Sequence, residues 1–314
     1  MHSTAYNIGV IVTHLPVFLR RFIRIGLLLP HLIWGIMLVG WVFPFIQSER
    51  CDRFIMAWSR RMLGILGVRV HVAAPPRLSG GALLVCNHVS WLDIYLINAA
   101  QRVHFVSKAE VRAWPVAGWL AHKTGTLFIE RGRRADTARV NADMRALLKN
   151  GATVMVFPEG TTSDGRGLQR FLPSLLQPAI ELNCPTVPAA LRYRTLEHEY
   201  SVAPAYIDHI SLWQSLLQIV SEPGLIAELH FGEPILPNGH RRDLAAQAEA
   251  ATAKLLGISP ARGTPKVGNP LSAKADAELT PPPDVYALQG ARPTGGHGAA
   301  PADTAPQKPV DPPT

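Results

Sequence analysis

The sequence predicts an α/β domain that follows an apolar N-terminal segment and precedes a proline-rich tail. Three observations support this prediction. Residues 55–256 alternate short apolar, strand-like runs with helical segments. Residues 25–47 contain no Asp, Glu, Lys or Arg, and the residues from 257 onward hold 12 of the 27 prolines. The 314 residues, 47% of them hydrophobic, are enough for one large domain or two ordinary ones with a buried core.

The apolar runs of the central region predict six strands, three helices and one interrupted helical segment. The strands are expected at 68–73, 82–86, 126–129, 153–157, 186–191 and 227–231. The helices are expected at 90–100, 136–149 and 243–256. Pro173 and Pro178 interrupt the helical segment at 168–182. Asp136 is the expected N-cap of the second helix, which is expected to stop near Gly151.

The apolar stretch Ile25–Gln47 is 23 residues long, enough to cross a hydrocarbon core as a helix. Pro30 and Pro44 interrupt it, so either a kinked span or a re-entrant hairpin is expected. Arginines stand on both sides of the stretch, which favours a hairpin that returns to the cytosolic face. No small-residue cleavage site follows, so the stretch is not a secretory signal. The alternative is a buried core helix of a soluble protein.

The composition excludes some classes of protein but does not identify the binding partner. The net charge is +8, and the whole surplus lies in residues 1–256. Such a surplus suits nucleic acid, an anionic membrane surface or a phosphorylated substrate. Three widely spaced cysteines without a C-x-x-C pair argue against a disulfide framework or a zinc knuckle and indicate a reducing, cytosol-facing compartment. Residues 257–314 carry no net charge and no apolar periodicity, which predicts a disordered tail.

His88 and Asp93 form the most informative pair of side chains. On a continuous helix, residues five apart point roughly 140° away from each other. With His88 in the turn after a strand and Asp93 in the first turn of the next helix, the two can meet. A carboxylate on one imidazole nitrogen fixes the tautomer and leaves the other nitrogen as a base. In the alternative interpretation Asp93 only caps the helix, with Ser90 as N-cap, and His88 is a surface turn residue.

Two further strand ends carry polar residues suited to an anionic ligand. The run Gly125–Arg131 delivers Arg131 to the end of a strand, where a guanidinium can bind a phosphate through two hydrogen bonds. The alternative there is a solvated loop arginine.

The second strand end opens into a loop of small and hydroxyl residues. Gly160 allows the backbone to approach a ligand, and the amides and hydroxyls that follow, beginning with Thr161, can face an anion. Glu159 would repel a phosphate unless it pairs with an arginine or accepts a substrate hydroxyl. Ordinary turn chemistry is the alternative for this loop.

Several catalytic motifs are absent from the sequence: G-x-S-x-G, the phosphate-binding loop, G-x-G-x-x-G and H-E-x-x-H. The sequence therefore gives little support to a covalent serine hydrolase, a nucleotide-driven enzyme or a zinc protease. A His/Asp metal hydrolase is disfavoured because one histidine and one aspartate do not supply three protein ligands.

Four segments, in order, resemble the four blocks of the glycerolipid acyltransferase family, the 1-acyl-sn-glycerol-3-phosphate acyltransferases. They are Asn87–Asp93, Gly125–Arg131, Phe157–Ser163 and Val187–Ala190. The fourth block departs from the family, which usually has a β-branched residue where Ala189 or Ala190 stands. The resemblance covers about residues 55–256. It implies a single mixed-sheet acyltransferase domain there, flanked by helices, with a membrane-docking helical segment at 1–54 and the disordered tail at 257–314.

The resemblance also implies a role for each candidate residue. In the family the block-one histidine, here His88, takes the proton from the acceptor hydroxyl, and the aspartate, here Asp93, orients and charges it. The hydroxyl attacks the acyl thioester directly, without an acyl-enzyme. The substrate-binding residues implied for the acceptor's phosphate and glycerol backbone are Arg131, Glu159, Gly160 and Thr161. Lys108, between blocks one and two, is expected near the donor or the tetrahedral oxyanion.

The expected function is that of a membrane-bound sn-2 acyltransferase that converts lysophosphatidate to phosphatidate. Its co-substrate is expected to be acyl-CoA or acyl carrier protein thioester, with no cofactor, no metal and no nucleic-acid partner. The expected location is the cytoplasmic face of the inner cell membrane, on an anionic lipid surface. One alternative is acylation of another lyso-lipid, such as lyso-ornithine lipid, which has no phosphate. A second is a non-catalytic membrane protein that binds anionic lipids.

Overall fold

The computed structural model of the chain describes residues 15–73, 80–130 and 132–258. The strands are β1 Val68–Val72, β2 Ala82–Cys86, β3 His104–Lys108, β4 Leu127–Ile129, β5 Thr153–Val156, β6 Thr186–Arg194 and β7 Leu225–Phe231. The longer helices are α1 Val17–Met37, α2 Ser48–Ile65, α3 Leu92–Ala100, α4 Ala117–Lys123, α5 Arg134–Lys149, α6 Gln177–Leu182, α7 Leu212–Ser221 and α8 Arg241–Leu256.

The seven strands form one mixed sheet in the order β1-β7-β6-β2-β5-β3-β4, which confirms the predicted fold class. The five strands from β6 to β4 run parallel, β7 is antiparallel to β6, and β1 is parallel to β7. All five residues of the central strand β2 are buried, because helices cover both faces of the sheet.

Side chains of β2 alternate between two hydrophobic cores, one on each face of the sheet. Leu84 and Cys86 pack in a core with residues of α2, α3 and α7. Leu83 and Val85 pack in the other core with residues of α5 and α8. The helix α3, which carries Asp93, is therefore fixed in the same layer as the N-terminal helix α2.

Several predicted elements differ from the observed ones. Residues 168–172 are not helical; a 3₁₀ turn begins at Pro173 and α6 follows it, since proline suits the first helical turn and breaks an interior. Helix α5 begins two residues before Asp136, whose carboxylate instead accepts a hydrogen bond from the Glu130 amide. Strand β3 and helices α2, α4 and α7 were not predicted from the sequence. Apart from Gly257 and Ile258, the predicted tail lies outside the described residues.

The N-terminal segment forms a bent helical hairpin. Helix α1 contains Pro30 and continues into a π-helical turn at Leu38–Val42 and a 3₁₀ turn at Phe43–Phe45. Helix α2 then packs against α1 and continues past residue 54, the predicted end of the membrane-docking segment. Within the described residues, Val17–Phe45 is the one helical stretch long and apolar enough to cross a bilayer, with a mean hydropathy of 1.9 over its most apolar 18 residues.

The side of helix α1 that faces the domain carries polar side chains. The guanidinium of Arg24 donates to the carbonyls of Val220, Glu222 and Pro223, at 3.1, 2.7 and 3.3 Å, where α7 ends. The ring of His31 stacks on Trp58 of α2 with centroids 4.8 Å apart. The outward face of α1 and the turns after it carries large exposed apolar side chains: Phe18, Phe22, Leu29, Ile33, Met37, Trp41 and Phe45. This pattern is the reverse of a buried core helix, whose apolar side faces the protein.

Candidate active site

The candidate site lies at one edge of the sheet, where four parallel strands end. His88 follows β2, Lys108 ends β3, Glu130 follows β4 and Glu159 follows β5. Carboxyl ends of parallel strands share an edge, so the predicted site residues of blocks one to three converge there. Lys108 is exposed and pairs in register with Ile129, the last residue of β4. Arg131, the predicted phosphate ligand, lies outside the described residues.

His88 and Asp93 are in direct contact. The Nδ1 atom of His88 lies 2.7 Å from Oδ2 of Asp93. The side chain of Asp93 is fully buried, whereas that of His88 is 20% exposed. The ring of Phe157 stacks on the imidazole with centroids 3.9 Å apart and fixes its plane. With Nδ1 held by the carboxylate, Nε2 is the nitrogen that can accept a proton from a substrate.

The Asp93 carboxylate also holds the backbone of the turn. Its Oδ2 accepts hydrogen bonds from the amides of Val89 and Ser90, at 2.8 and 2.9 Å. The hydroxyl of Tyr193, from β6, donates to Oδ1 at 2.8 Å. Asp93 therefore binds the turn's amides, as the alternative interpretation expected of a capping carboxylate, and at the same time binds the histidine. Asp93 therefore does more than cap the helix, which is all that the alternative interpretation assigned to it.

Glu159 lies buried beside the turn that carries His88. Its side chain is 1% exposed, and its two oxygens accept hydrogen bonds from the amides of His88 and Gln169, at 2.6 and 2.9 Å. Burial raises the pKa of Glu159 to about 8, although the two amide hydrogen bonds act in the opposite direction. This carboxylate joins the His88 turn to the loop after β5, and its role in acceptor binding stays a prediction.

The loop after β5 packs against the turn that carries His88. Gly160 has φ +74°, and an added Cβ would lie 3.0 Å from Leu172 Cδ1, so glycine is needed at this position. The Ser163 amide donates to the carbonyl of His88 at 2.8 Å, and the Thr162 hydroxyl donates to the carbonyl of Tyr206. Thr161, next to Gly160, is exposed. The substrate-binding roles of Gly160, Thr161 and Lys108 stay predictions.

Two residues that the sequence interpretation did not single out also belong to the site. The Asn87 side chain spans the backbone of Leu191, accepting from its amide at 2.8 Å and donating to its carbonyl at 3.0 Å. Tyr193 lies two residues further along the same strand. The sequence did contain a signal for Tyr193: Leu191 and Tyr193 continue the alternating pattern of a strand, and β6 indeed extends beyond the predicted end at 191. In the part of the chain described, no three His, Cys, Asp or Glu side chains are grouped to hold a metal ion.

Comparisons with known proteins find relatives that match most of the chain. A family model described as Acyltransferase matches residues 67–192. The chain is 36% identical over 241 residues to the lyso-ornithine lipid O-acyltransferase of Pseudomonas aeruginosa, covering 74% of this chain and 92% of that protein. It is 35% identical over 184 residues to the 1-acyl-sn-glycerol-3-phosphate acyltransferase of Neisseria meningitidis, covering 58% and 72% of the two chains.

A solved structure shares the fold. The crystal structure of the 1-acyl-sn-glycerophosphate acyltransferase PlsC from Thermotoga maritima superposes with a TM-score of 0.59 at 20% identity. The match covers 79% of this chain and 98% of that one.

Proposed function

Since this chain belongs to the glycerolipid acyltransferase family, we propose that it transfers a fatty acyl group from an acyl thioester to the sn-2 hydroxyl of 1-acyl-sn-glycerol-3-phosphate. The product is phosphatidate, and the donor is acyl-CoA or acyl carrier protein thioester. The observation that carries this proposal is the contact of the partly exposed His88 with the buried Asp93, at the edge of the sheet where β3 ends at Lys108.

The proposed reaction is a direct transfer. The acceptor hydroxyl gives its proton to Nε2 of His88 while its oxygen attacks the thioester carbonyl, and Asp93 stabilises the imidazolium that forms. The tetrahedral intermediate then expels the thiolate, which takes the proton back from the imidazolium. General-base catalysis of this kind supplies about 10²- to 10⁴-fold, so positioning and polarisation of the thioester must supply the rest.

In this proposal the acceptor's phosphate binds beside the histidine. Arg131 follows Glu130 in the sequence, and a guanidinium suits a phosphate because it offers two parallel hydrogen bonds. Gly160 and Thr161 would present backbone and hydroxyl groups to the same acceptor. Lys108, on the neighbouring strand end, would lie near the donor or the oxyanion.

A second candidate acceptor is lyso-ornithine lipid. It is favoured by the match to the Pseudomonas aeruginosa protein, of whose length the chain covers 92%. That acceptor has no phosphate, so the two candidates separate at Arg131. If Arg131→Ala raises the KM for lysophosphatidate at least tenfold, the phosphate acceptor is supported. An unchanged KM supports the second candidate.

The decisive experiment is an acyl-transfer assay on the purified membrane fraction with both lyso-lipids and both thioester donors. We expect His88→Ala and Asp93→Ala to lower turnover at least 100-fold. His230→Ala is a matched control, because His230 is exposed on β7. Activity within tenfold of wild type in both site variants would contradict the mechanism. Lipid binding without turnover in the wild type would favour the non-catalytic alternative.

We further propose that the protein docks on the cytoplasmic face of the cell membrane through the exposed apolar face of α1. Helix α1 offers Phe18 and Phe22 to the lipid, and the turns after it offer Trp41 and Phe45, while Arg20, Arg24 and His31 are buried against the domain. The surplus of positive charge in residues 1–256 would add attraction to anionic head groups.

A further inference from the structure

Tyr193 supplies the hydrogen bond on the far side of the Asp93 carboxylate from the histidine. Its hydroxyl donates to Oδ1 at 2.8 Å, while Oδ2 faces His88 and the two turn amides. Tyr193 is 2% exposed and Asp93 is fully buried. A donor on Oδ1 therefore limits the rotation of the carboxylate that would turn Oδ2 away from His88.

The phenol is placed by the backbone of two neighbouring strands. The last residue of β2, Cys86, pairs with Ala189, so β6 extends beyond β2 along the block-one turn. There the Asn87 side chain binds both the amide and the carbonyl of Leu191. Tyr193, two residues on, points to the same face of the sheet as Leu191. The turn that bears His88 and the strand that bears Tyr193 are thus fixed to each other.

We propose that Tyr193 is a positioning residue for acyl transfer. Its hydroxyl fixes the Asp93 carboxylate against His88 and draws charge away from it, which limits how tightly Asp93 holds the imidazolium. This inference rests on the proposed function, in which His88 is the general base.

Other titratable groups also lie around the pair, on β2, on β6 and in the loop after β5. Burial and the neighbouring Asp93 carboxylate raise the pKa of Tyr193 well above its usual range, so the phenol stays a donor throughout an assay. Burial likewise raises the pKa of the Cys86 thiol, which stays neutral. Glu159, whose pKa burial raises to about 8, titrates on the alkaline side.

The test is Tyr193→Phe, which removes the hydroxyl and keeps the ring. A carboxylate that loses a donor becomes more basic and holds the imidazolium more tightly. We therefore expect the acidic limb of the kcat/KM profile to move about 0.5 to 1 unit toward higher pH. We expect kcat at neutral pH to fall about tenfold, or ~1.4 kcal/mol, with the acceptor KM within twofold of wild type.

The matched control is Tyr95→Phe. Tyr95 is a tyrosine of the same helix as Asp93, and its ring packs between Trp58 and Trp91. This variant should leave the acidic limb in place. A merely structural role for Tyr193 predicts that both variants lower thermal stability and that neither moves the limb, which would overturn the proposal.

Two further measurements keep the inference testable if Tyr193→Phe folds poorly or if the acceptor is misassigned. Replacing Tyr193 with 3-fluorotyrosine strengthens the donor without changing its shape, and the limb should then move toward lower pH. Titration of ¹⁵N-labelled histidine by NMR in detergent, with the signal assigned by its loss in His88→Ala, reads the same shifts without turnover. A wild type that acylates no lyso-lipid would defeat the proposed function alone; an unmoved His88 titration in both Tyr193 variants would defeat this inference.

Discussion

The three donors on one oxygen of Asp93 make its charge and shape both necessary. Asp93→Asn keeps the volume of the side chain, and its one amide oxygen can replace Oδ2 as the acceptor of these three hydrogen bonds. The variant loses the negative charge that stabilises the imidazolium, and its amide nitrogen takes the place of Oδ1 beside the Tyr193 hydroxyl. We expect turnover to fall about 10²- to 10⁴-fold with a modest change in acceptor KM, measured by steady-state kinetics. A variant with kcat within tenfold of wild type would contradict this role of the carboxylate.

Glu159 predicts how the free energy of unfolding depends on pH. Its pKa is about 8 in the folded protein and 4.5 for the ordinary group, so between these values the folded state binds more proton than the unfolded state. The free energy of unfolding should therefore fall as pH rises from about 5 to 8, by at most about 1.4 kcal/mol per unit. Glu159→Gln should flatten this dependence, measured by chemical denaturation in detergent at pH 5, 6.5 and 8. An equal slope in wild type and variant would contradict the shift.

The sequence predicted those site residues whose partners are near in the chain. His88 and Asp93 are five residues apart across a strand, turn and helix, and that local geometry was enough to bring them together. Glu159 binds the His88 amide, 71 positions away, and Tyr193 binds Asp93, 100 positions away. Local patterns do not show that a carboxylate after β5 turns toward the His88 amide, so this contact was not predicted.

At the scale of elements, Arg24 of helix α1 binds the backbone at the end of helix α7 and so holds α1 to the domain. Arg24 donates to three carbonyls where α7 ends, which suits the negative end of a helix dipole. Arg24→Met keeps the aliphatic stem and leaves those carbonyls without the cation. We expect a loss of about 2–3 kcal/mol in the free energy of unfolding, measured by denaturation in detergent. Arg21→Met, which removes a single exposed bond to Ser221, is the control and should cost under about 1 kcal/mol.

The elements that the sequence analysis missed share a physical cause. Strand β3 contains His104, Ser107 and Lys108 among its five residues, so it lacks the apolar run by which the other parallel strands were found. Its place in the sheet comes from pairing with β5 and β4, which no local pattern encodes. The strongly apolar β2 was predicted with its observed ends.

At the scale of the whole molecule, apolar and charged surfaces are expected to act together on a membrane. Trp41 and Phe45 are 72% and 85% exposed at the bend of the N-terminal hairpin. Trp41→Ser combined with Phe45→Ser should weaken binding to anionic phospholipid vesicles at least tenfold, measured by co-sedimentation. Leu236→Ser, at a residue 68% exposed in the loop after β7, is the control and should change binding little.

Salt separates the two contributions to membrane binding. Raising the ionic strength should weaken binding of the wild type to anionic vesicles and leave its binding to neutral vesicles nearly unchanged. Vesicle binding that ignores both the aromatic substitutions and the salt would contradict docking through α1.

The attachment of α1 to the domain has a practical consequence for anyone preparing a detergent-free form of this enzyme. Deleting residues 1–47 would remove the exposed apolar surface, but it would also remove the cation from three carbonyls at and after the end of α7. It would also remove the stacking partner of Trp58, which contacts Tyr95 on the helix that carries Asp93. A shortened protein is expected to gain solubility and to lose part of the support of its candidate active site. The better engineering route keeps α1 whole and exchanges its outward side chains, such as Phe18, Phe22 and Leu29, for polar ones.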